Sequence, residues 1–64
     1  MKLTDFWERM ERHFGVGYAR SWAHDMVLEE LGGRTVEAAL AAGDETLDVW
    51  RAVWRHERMD PRER

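Results

Sequence analysis

Five glycines divide this short chain into segments that can each hold one helix. They are Gly15, Gly17, Gly32, Gly33 and Gly43. Between them the apolar residues recur every three or four positions, and no run of β-branched residues indicates a strand. The pattern predicts an all-α, compact single-domain bundle of three long helices and one short helix, without strands and with short joints.

Capping signals locate the first two helices. Thr4 is the predicted N-cap of the first, because its hydroxyl can accept a hydrogen bond from a free N–H of the first turn. The second is expected over residues 18–31, where apolar side chains cover more than one side of the helix, and this predicts a central position. Gly32 and Gly33 end it, since glycine adopts the left-handed conformation without penalty.

The remaining chain predicts a short third helix and a long fourth one. Thr35 is the predicted cap of the third helix and Asp44 of the fourth, and Pro61 prevents any helical continuation. A single helical domain is therefore expected over residues 1–60, followed by a frayed tail at residues 61–64.

The stability of such a small domain depends on a few large side chains. A chain of 64 residues buries only about 60% of its unfolded surface. Without cysteine, neither a disulfide nor a Cys-type zinc site can add stability. The core is predicted to contain Phe6, Trp7, Met10, Phe14, Trp22, Met26, Val27, Leu31, Val36, Leu40, Leu47 and Trp50.

Charge is distributed unevenly along the chain, although the formal net charge is only −3. Residues 21–50 contain seven acids and one base, whereas residues 51–64 contain five arginines and three acids. No apolar run has the length of a signal peptide or of the roughly 20 residues that span a bilayer. We therefore expect a cytoplasmic protein without a membrane partner.

The histidines suggest no catalytic or metal chemistry. His24 precedes Asp25 and His56 precedes Glu57, but adjacent helical residues point about 100° apart and cannot act together as base and orienting group. The three histidines also lack the spacing of a metal site. The sequence predicts a protein that is not an enzyme and that needs no cofactor or metal.

The segment TVEAALAAGDETLDVW, residues 35–50, has the pattern of a helix-turn-helix. Ala39, Gly43 and Val49 have the spacing of the small, glycine and aliphatic positions of such units. A recognition helix enters the major groove with its amino-terminal part, where phosphates would repel acidic side chains. Three acids occupy that part here, namely Asp44, Glu45 and Asp48. DNA binding is therefore kept as the alternative function.

The main candidate for an interaction site is a basic patch in the fourth helix. Arg51, Arg55 and Arg58 follow one another at spacings of four and three, close to a partly exposed Trp54. Asp48 is expected to form an ion pair with Arg51. Arginine and tryptophan are enriched at binding hot spots, so another protein is the expected partner, with a homodimer left open. The competing interpretation is that this helix face only maintains solubility.

Most of the chain resembles one known family. The segments LTDFWERM, YARSWAHDMVLEELGGRTVEAALAAG and VWRAV are similar to actinobacterial proteins of domain-of-unknown-function family 3046. The resemblance implies a small cytoplasmic helical protein and supplies no activity, ligand or active site. It also implies a gene near that of the recombinase A protein, which links the DNA-binding alternative to recombination or repair. This chain departs from the family pattern at Trp54, where a smaller residue is usual.

Overall fold

The computed structural model describes all 64 residues as four α-helices, a small antiparallel sheet and two 3-10 turns. The helices are α1 (Leu3–Phe14), α2 (Val16–Asp25), α3 (Val36–Ala41) and α4 (Thr46–Glu57). The strands are β1 (Val27–Leu28) and β2 (Arg34–Thr35), and the 3-10 turns cover Glu29–Leu31 and Pro61–Glu63. The predicted bundle of three long helices and one short helix is confirmed. None of the helices is long and apolar enough to span a bilayer.

The prediction that residues 18–31 form one helix, in a chain without strands, is wrong. Helix α2 begins at Val16 and ends at Asp25, and the next two residues after Met26 pair with β2. The extended backbone buries Leu28 completely and leaves Val27 exposed, whereas a continued helix would direct Leu28 away from the core. Burial of Leu28 thus favours a strand over the helical continuation.

The predicted helix caps are correct at one position of three. The hydroxyl of Thr35 accepts a hydrogen bond from the backbone N–H of Ala38 at 3.0 Å, at the start of α3. Thr4 instead lies inside α1, and the residue that precedes α4 is Glu45 rather than Asp44. Neither α1 nor α4 has a side-chain cap, so packing rather than capping determines where these helices begin.

The core is built from more small residues than the sequence predicts. The thirteen buried residues are Phe6, Met10, Ala19, Trp22, Ala23, Leu28, Leu31, Val36, Ala39, Val49, Trp50, Ala52 and Val53. Trp7, Phe14 and Leu40 are partly buried against this core. Three predicted members are outside it, because Met26 and Val27 are exposed and Leu47 is only half-buried. Four buried alanines allow the helices to approach closely.

Helices α2 and α4 share the central position that was expected for α2 alone. Helix α2 packs against α1, α3 and β2, whereas α4 packs against α1, α3, β1 and the turn Glu29–Leu31. Aromatic rings join α1 to both of these helices. Phe14 stacks on Trp22 with 4.3 Å between the ring centroids, and Phe6 meets Trp50 edge-on at 6.3 Å.

The last residues, for which the sequence predicts a frayed tail, include the 3-10 turn Pro61–Glu63. Asp60 accepts a hydrogen bond from the backbone N–H of Arg62 at 2.8 Å and starts the 3-10 turn Pro61–Glu63. The indole N–H of Trp50 donates to the backbone oxygen of Glu63 at 2.9 Å. The turn therefore lies against the helices and affects the surface of α4.

Candidate protein-interaction site

Three of the four predicted site residues lie together on α4. Arg51, Trp54 and Arg55 line a shallow depression, to which Arg64 is added from the end of the chain. Trp54 is half-buried, and the Arg64 guanidinium carbon lies 5.6 Å from the centroid of its ring. We call Arg51, Trp54, Arg55 and Arg64 the basic face.

Arg58, the fourth predicted residue, does not line this depression. It follows the last residue of α4 and has φ 53° and ψ 48°, the left-handed conformation that usually requires glycine. The helical spacing that aligns Arg51 and Arg55 therefore no longer applies at this position. The predicted ridge of three arginines ends at Arg55.

The arginines of the basic face form no ion pair within the protein, although the charge of Arg55 acts on the nearby Glu30. No carboxylate oxygen lies within 4.0 Å of the guanidinium nitrogens of Arg51, Arg55 or Arg64. The expected ion pair between Asp48 and Arg51 is absent, so this prediction is wrong. All three arginine residues are exposed. The face consequently presents three positive groups around one aromatic ring.

A second depression on the other side of Arg51 and Arg55 has mixed charge. It is also bordered by the charged residues Glu30, Arg34, Asp44 and Asp48. Arg34 donates to both carboxylate oxygens of Asp44, at 3.2 and 2.7 Å, and its Nε donates to the backbone oxygen of Leu31 at 2.7 Å. The Nε, Nη1 and Nη2 groups of Arg34 therefore each donate a hydrogen bond within the protein.

The bond to Arg34 has a clear electrostatic consequence for Asp44. The hydrogen bonds that Arg34 donates to Asp44 lower the pKa of the Asp44 carboxyl below its usual range, and the same bonds raise the pKa of Arg34. We call this pair the corner clamp, since it joins the end of the turn Glu29–Leu31 to the loop before α4. The sequence did not reveal it, because the partners are ten positions apart and no motif marks this spacing.

The helix-turn-helix-like corner is present between α3 and α4. Ala39 and Val49 are completely buried, and Gly43 has φ 93° between them. The start of α4 is not free, because the Thr46 hydroxyl donates to the backbone oxygen of Met1. The exposed acid Asp48 lies in the first turn of α4, where a recognition helix would meet phosphates.

Each histidine contacts a glutamate from a different element. The imidazole of His13 lies 3.1 Å from a carboxylate oxygen of Glu57, and that of His24 lies 3.1 Å from one of Glu37. The third pair is His56 with Glu30, at 3.2 Å. The three pairs join separate elements at the surface and so connect parts of the fold. Asp25 and Glu57, the acids next to His24 and His56 in the sequence, are not the main partners of these histidines.

Two of the groups in these pairs have a perturbed pKa. The hydrogen bond to Glu37 raises the pKa of His24, with the charges of Glu37 and Asp25 acting in the same direction. The pKa of Glu30 is lowered first by a hydrogen bond from its own backbone N–H, and further by His56 and Arg55. Both shifts favour the charged forms, which is the effect of hydrogen bonds and opposite charges rather than of burial.

Comparison with known proteins identifies one family. The family described as "Protein of unknown function (DUF3046)" matches residues 1–62, and the chain therefore belongs to it. The resemblance found in the sequence is thus confirmed at the level of the family. No curated protein and no solved structure matches the chain.

Proposed function

We propose that this protein is a non-enzymatic interaction module, a cytoplasmic adaptor or regulator, that binds an acidic segment of another protein through the basic face. The observation that carries the proposal is the gathering of three guanidinium groups without an acidic partner around half-buried Trp54. Arginines beside an aromatic ring form bidentate hydrogen bonds to carboxylates and add apolar contact area. Acidic side chains of a partner would supply the missing counter-charges.

The proposal can be tested with a labelled hexaglutamate peptide and with a pull-down from native lysate. The double variant Arg51→Glu with Arg55→Glu should lose both the peptide and a protein partner that the parent retains. Its control is Lys2→Glu with Arg12→Glu, which makes the same change of charge at exposed residues of the opposite end of the chain. Circular dichroism should show that both variants remain folded.

The outcomes separate a binding face from a solubilising one. Equal loss in both double variants would indicate that net charge alone governs binding, and retention of all partners by the Arg51 and Arg55 variant would exclude the basic face. A single Arg58→Glu variant should lose less binding than either single variant at Arg51 or Arg55, because Arg58 lies outside the depression.

DNA binding is the second candidate function, favoured by the buried corner at Ala39, Gly43 and Val49. A link to recombination or repair would fit such an activity. Titration with duplex DNA at low and at moderate salt distinguishes the two functions, because phosphate contacts weaken steeply as salt increases. We expect no binding, or weak binding that salt abolishes. Tight, sequence-dependent binding at moderate salt would replace our proposal by the helix-turn-helix function.

A further inference from the structure

Residues 60–64, which we call the strap, cross the surface between α1 and α4 and are held there through backbone oxygen atoms. The indole N–H of Trp54 donates to the backbone oxygen of Asp60 at 2.9 Å, and that of Trp50 donates to the backbone oxygen of Glu63 at 2.9 Å. Arg9 Nη1 is within 3.4 and 3.3 Å of the backbone oxygens of Glu63 and Arg64. Three donors of the folded body thus bind a short peptide backbone.

The side chains of the strap contribute little to this attachment. Asp60 and Arg62 pair with each other at 3.1 Å, and Pro61 is exposed. Only Arg64 approaches the body, through its position beside the Trp54 ring. Since every peptide has backbone carbonyl groups, the donors Arg9, Trp50 and Trp54 could bind another chain as they bind the strap.

The charge of the strap does not match the charge of the surface that it covers. Its two acids and two arginines cancel, and it places Arg64 beside Arg51 and Arg55 without adding a carboxylate to either. An acidic segment would instead bring negative groups to these arginines. Asp5 and Glu8 line a depression together with Arg9 and Arg64, so an acidic segment is favoured at Arg51 and Arg55 of α4 and not at this end of the strap.

We propose that the strap is an intramolecular ligand of a backbone-binding groove formed by Arg9, Trp50 and Trp54, and that an acidic segment of a partner protein displaces it. This inference rests on the proposed function, because the same segment binds the basic face. The strap lowers the apparent affinity for the partner by the fraction of molecules in which the groove is free. Loosening the strap therefore strengthens binding through Arg51, Arg55 and the three donors of the groove, although it also withdraws Arg64 from the basic face.

Pro61→Gly is the variant that tests this relation. Proline fixes φ at the first residue of the turn Pro61–Glu63, and glycine there favours the detached strap through its greater chain entropy. The change leaves all charges and all three donors of the groove in place. We expect a rise of roughly two- to five-fold in affinity for hexaglutamate. Ala42→Gly, at an exposed position after α3, is the control for general loosening of the chain.

Hydrogen exchange of the indole N–H groups provides a readout that needs no ligand. Trp50 and Trp54 donate to the strap, whereas the indoles of Trp7 and Trp22 form no hydrogen bond within the protein and serve as internal references. In Pro61→Gly the exchange of the first two indoles should accelerate roughly two- to five-fold, and that of the references should not change. In the parent protein, saturating hexaglutamate should accelerate the exchange of the same two indole N–H groups if it removes the strap. If the carbonyls of the peptide replace those of the strap, the resonances of these indoles should shift instead.

The combined outcomes distinguish the strap from the basic face. Tighter hexaglutamate binding by Pro61→Gly, together with faster exchange at Trp50 and Trp54 alone, supports both proposals. Equal affinity of the parent, Pro61→Gly and Ala42→Gly proteins would overturn the displaceable strap and leave the interaction function intact. Absence of hexaglutamate binding in all three proteins would overturn both.

Discussion

The two regions that flank α4 use arginine in opposite ways. In the corner clamp, Arg34 directs its donors to Asp44 and to the backbone of Leu31. On the basic face, Arg51 and Arg55 form no ion pair, although the acidic Asp48 lies only three residues before the first of them. Arginine therefore supports the fold in the corner clamp and remains available to a partner on the basic face.

Chain geometry explains why the two regions differ. Arg34 lies in β2, which the pairing with β1 holds beside the loop that contains Asp44, so that its planar guanidinium meets a carboxylate in bidentate fashion. Arg51 and Arg55 extend from a helix into solvent, where ordering two long side chains costs as much as a surface ion pair contributes. Position on a fixed strand, rather than charge alone, decides which arginine is structural.

The largest expected effect comes from Trp50. It lies in α4 between Asp48, which borders the depression at the corner clamp, and Arg51 of the basic face. Its side chain is 1% exposed, and its replacement by alanine should lower the free energy of unfolding by about 3–5 kcal/mol. Such a loss would disorder the corner clamp and the basic face together in so small a domain. Thermal unfolding followed by circular dichroism measures it.

Trp50→Phe is the matched control for that experiment. It retains an aromatic ring in the core but removes the N–H that donates to Glu63 and part of the buried ring volume, so its cost should exceed the roughly 1 kcal/mol of one hydrogen bond and remain below that of the alanine variant. If Trp50→Ala melts at the temperature of the parent, this residue does not support either region.

The next effect concerns the glycines that lead the chain into the corner clamp. Gly32 and Gly33 have φ values of 67° and 81°, and alanine at either position should cost about 1–2 kcal/mol although no atom lies within 4 Å of an added Cβ. Gly17 is the control, because it lies inside α2 with an ordinary φ and equally open space. Alanine there should stabilise by about 0.5–1 kcal/mol. Equal melting of all these variants would show that backbone conformation does not hold the corner.

A direct test of the comparison replaces one arginine from each region. Arg34→Ala should lower the melting temperature, because it leaves Asp44 and the Leu31 carbonyl without their donor. Arg51→Ala should change the free energy of unfolding by no more than about 0.5 kcal/mol, as expected for an unpaired surface residue. Equal losses in the two variants would contradict the division between a structural and an available arginine.

The corner clamp also predicts how the effect of Arg34→Ala on the melting temperature depends on pH. Because Arg34 lowers the pKa of Asp44 below its ordinary value of 3.8, the clamp stabilises the protein above that pH. The stabilisation is lost as the pH falls through the lowered pKa. The difference in melting temperature between the parent and Arg34→Ala should therefore diminish in acid.

The features that the sequence could predict depend on neighbouring residues, and those that it could not predict depend on distant contacts. Helical periodicity and turn residues located four helices, the cap at Thr35 and the aligned pair Arg51 and Arg55, since these depend on neighbours within one or two turns. The strand at Leu28 and the partner of Asp44 depend on contacts between distant segments, for which a single sequence carries no periodic signal.

Some of the missed features lie at the end of the chain. The sequence predicts a frayed tail at residues 61–64 and does not indicate the donors that hold the strap, which are the indoles of Trp50 and Trp54, with backbone atoms as partners. Because any residue supplies a backbone oxygen, composition cannot indicate such contacts. The sequence predicts a patch in α4 with Arg62 and Arg64 close to Trp54, and the structure brings Arg64 to that ring.

The smallest expected effect belongs to His24, an exposed residue that nevertheless has a partner. The hydrogen bond to Glu37 raises the folded-state pKa of His24 above its ordinary value of 6.5. A raised folded-state pKa means that the stabilisation is complete below pH 6.5 and is lost as the pH rises through the raised value. The melting temperature should fall slightly over that interval, and the fall should be small because the two side chains are 68% and 62% exposed. His24→Gln can keep a hydrogen bond to Glu37 without titrating, so the difference between the parent and this variant isolates the contribution of His24. A difference between the parent and this variant that stays constant with pH would show that the charged form of this exposed pair contributes nothing to stability.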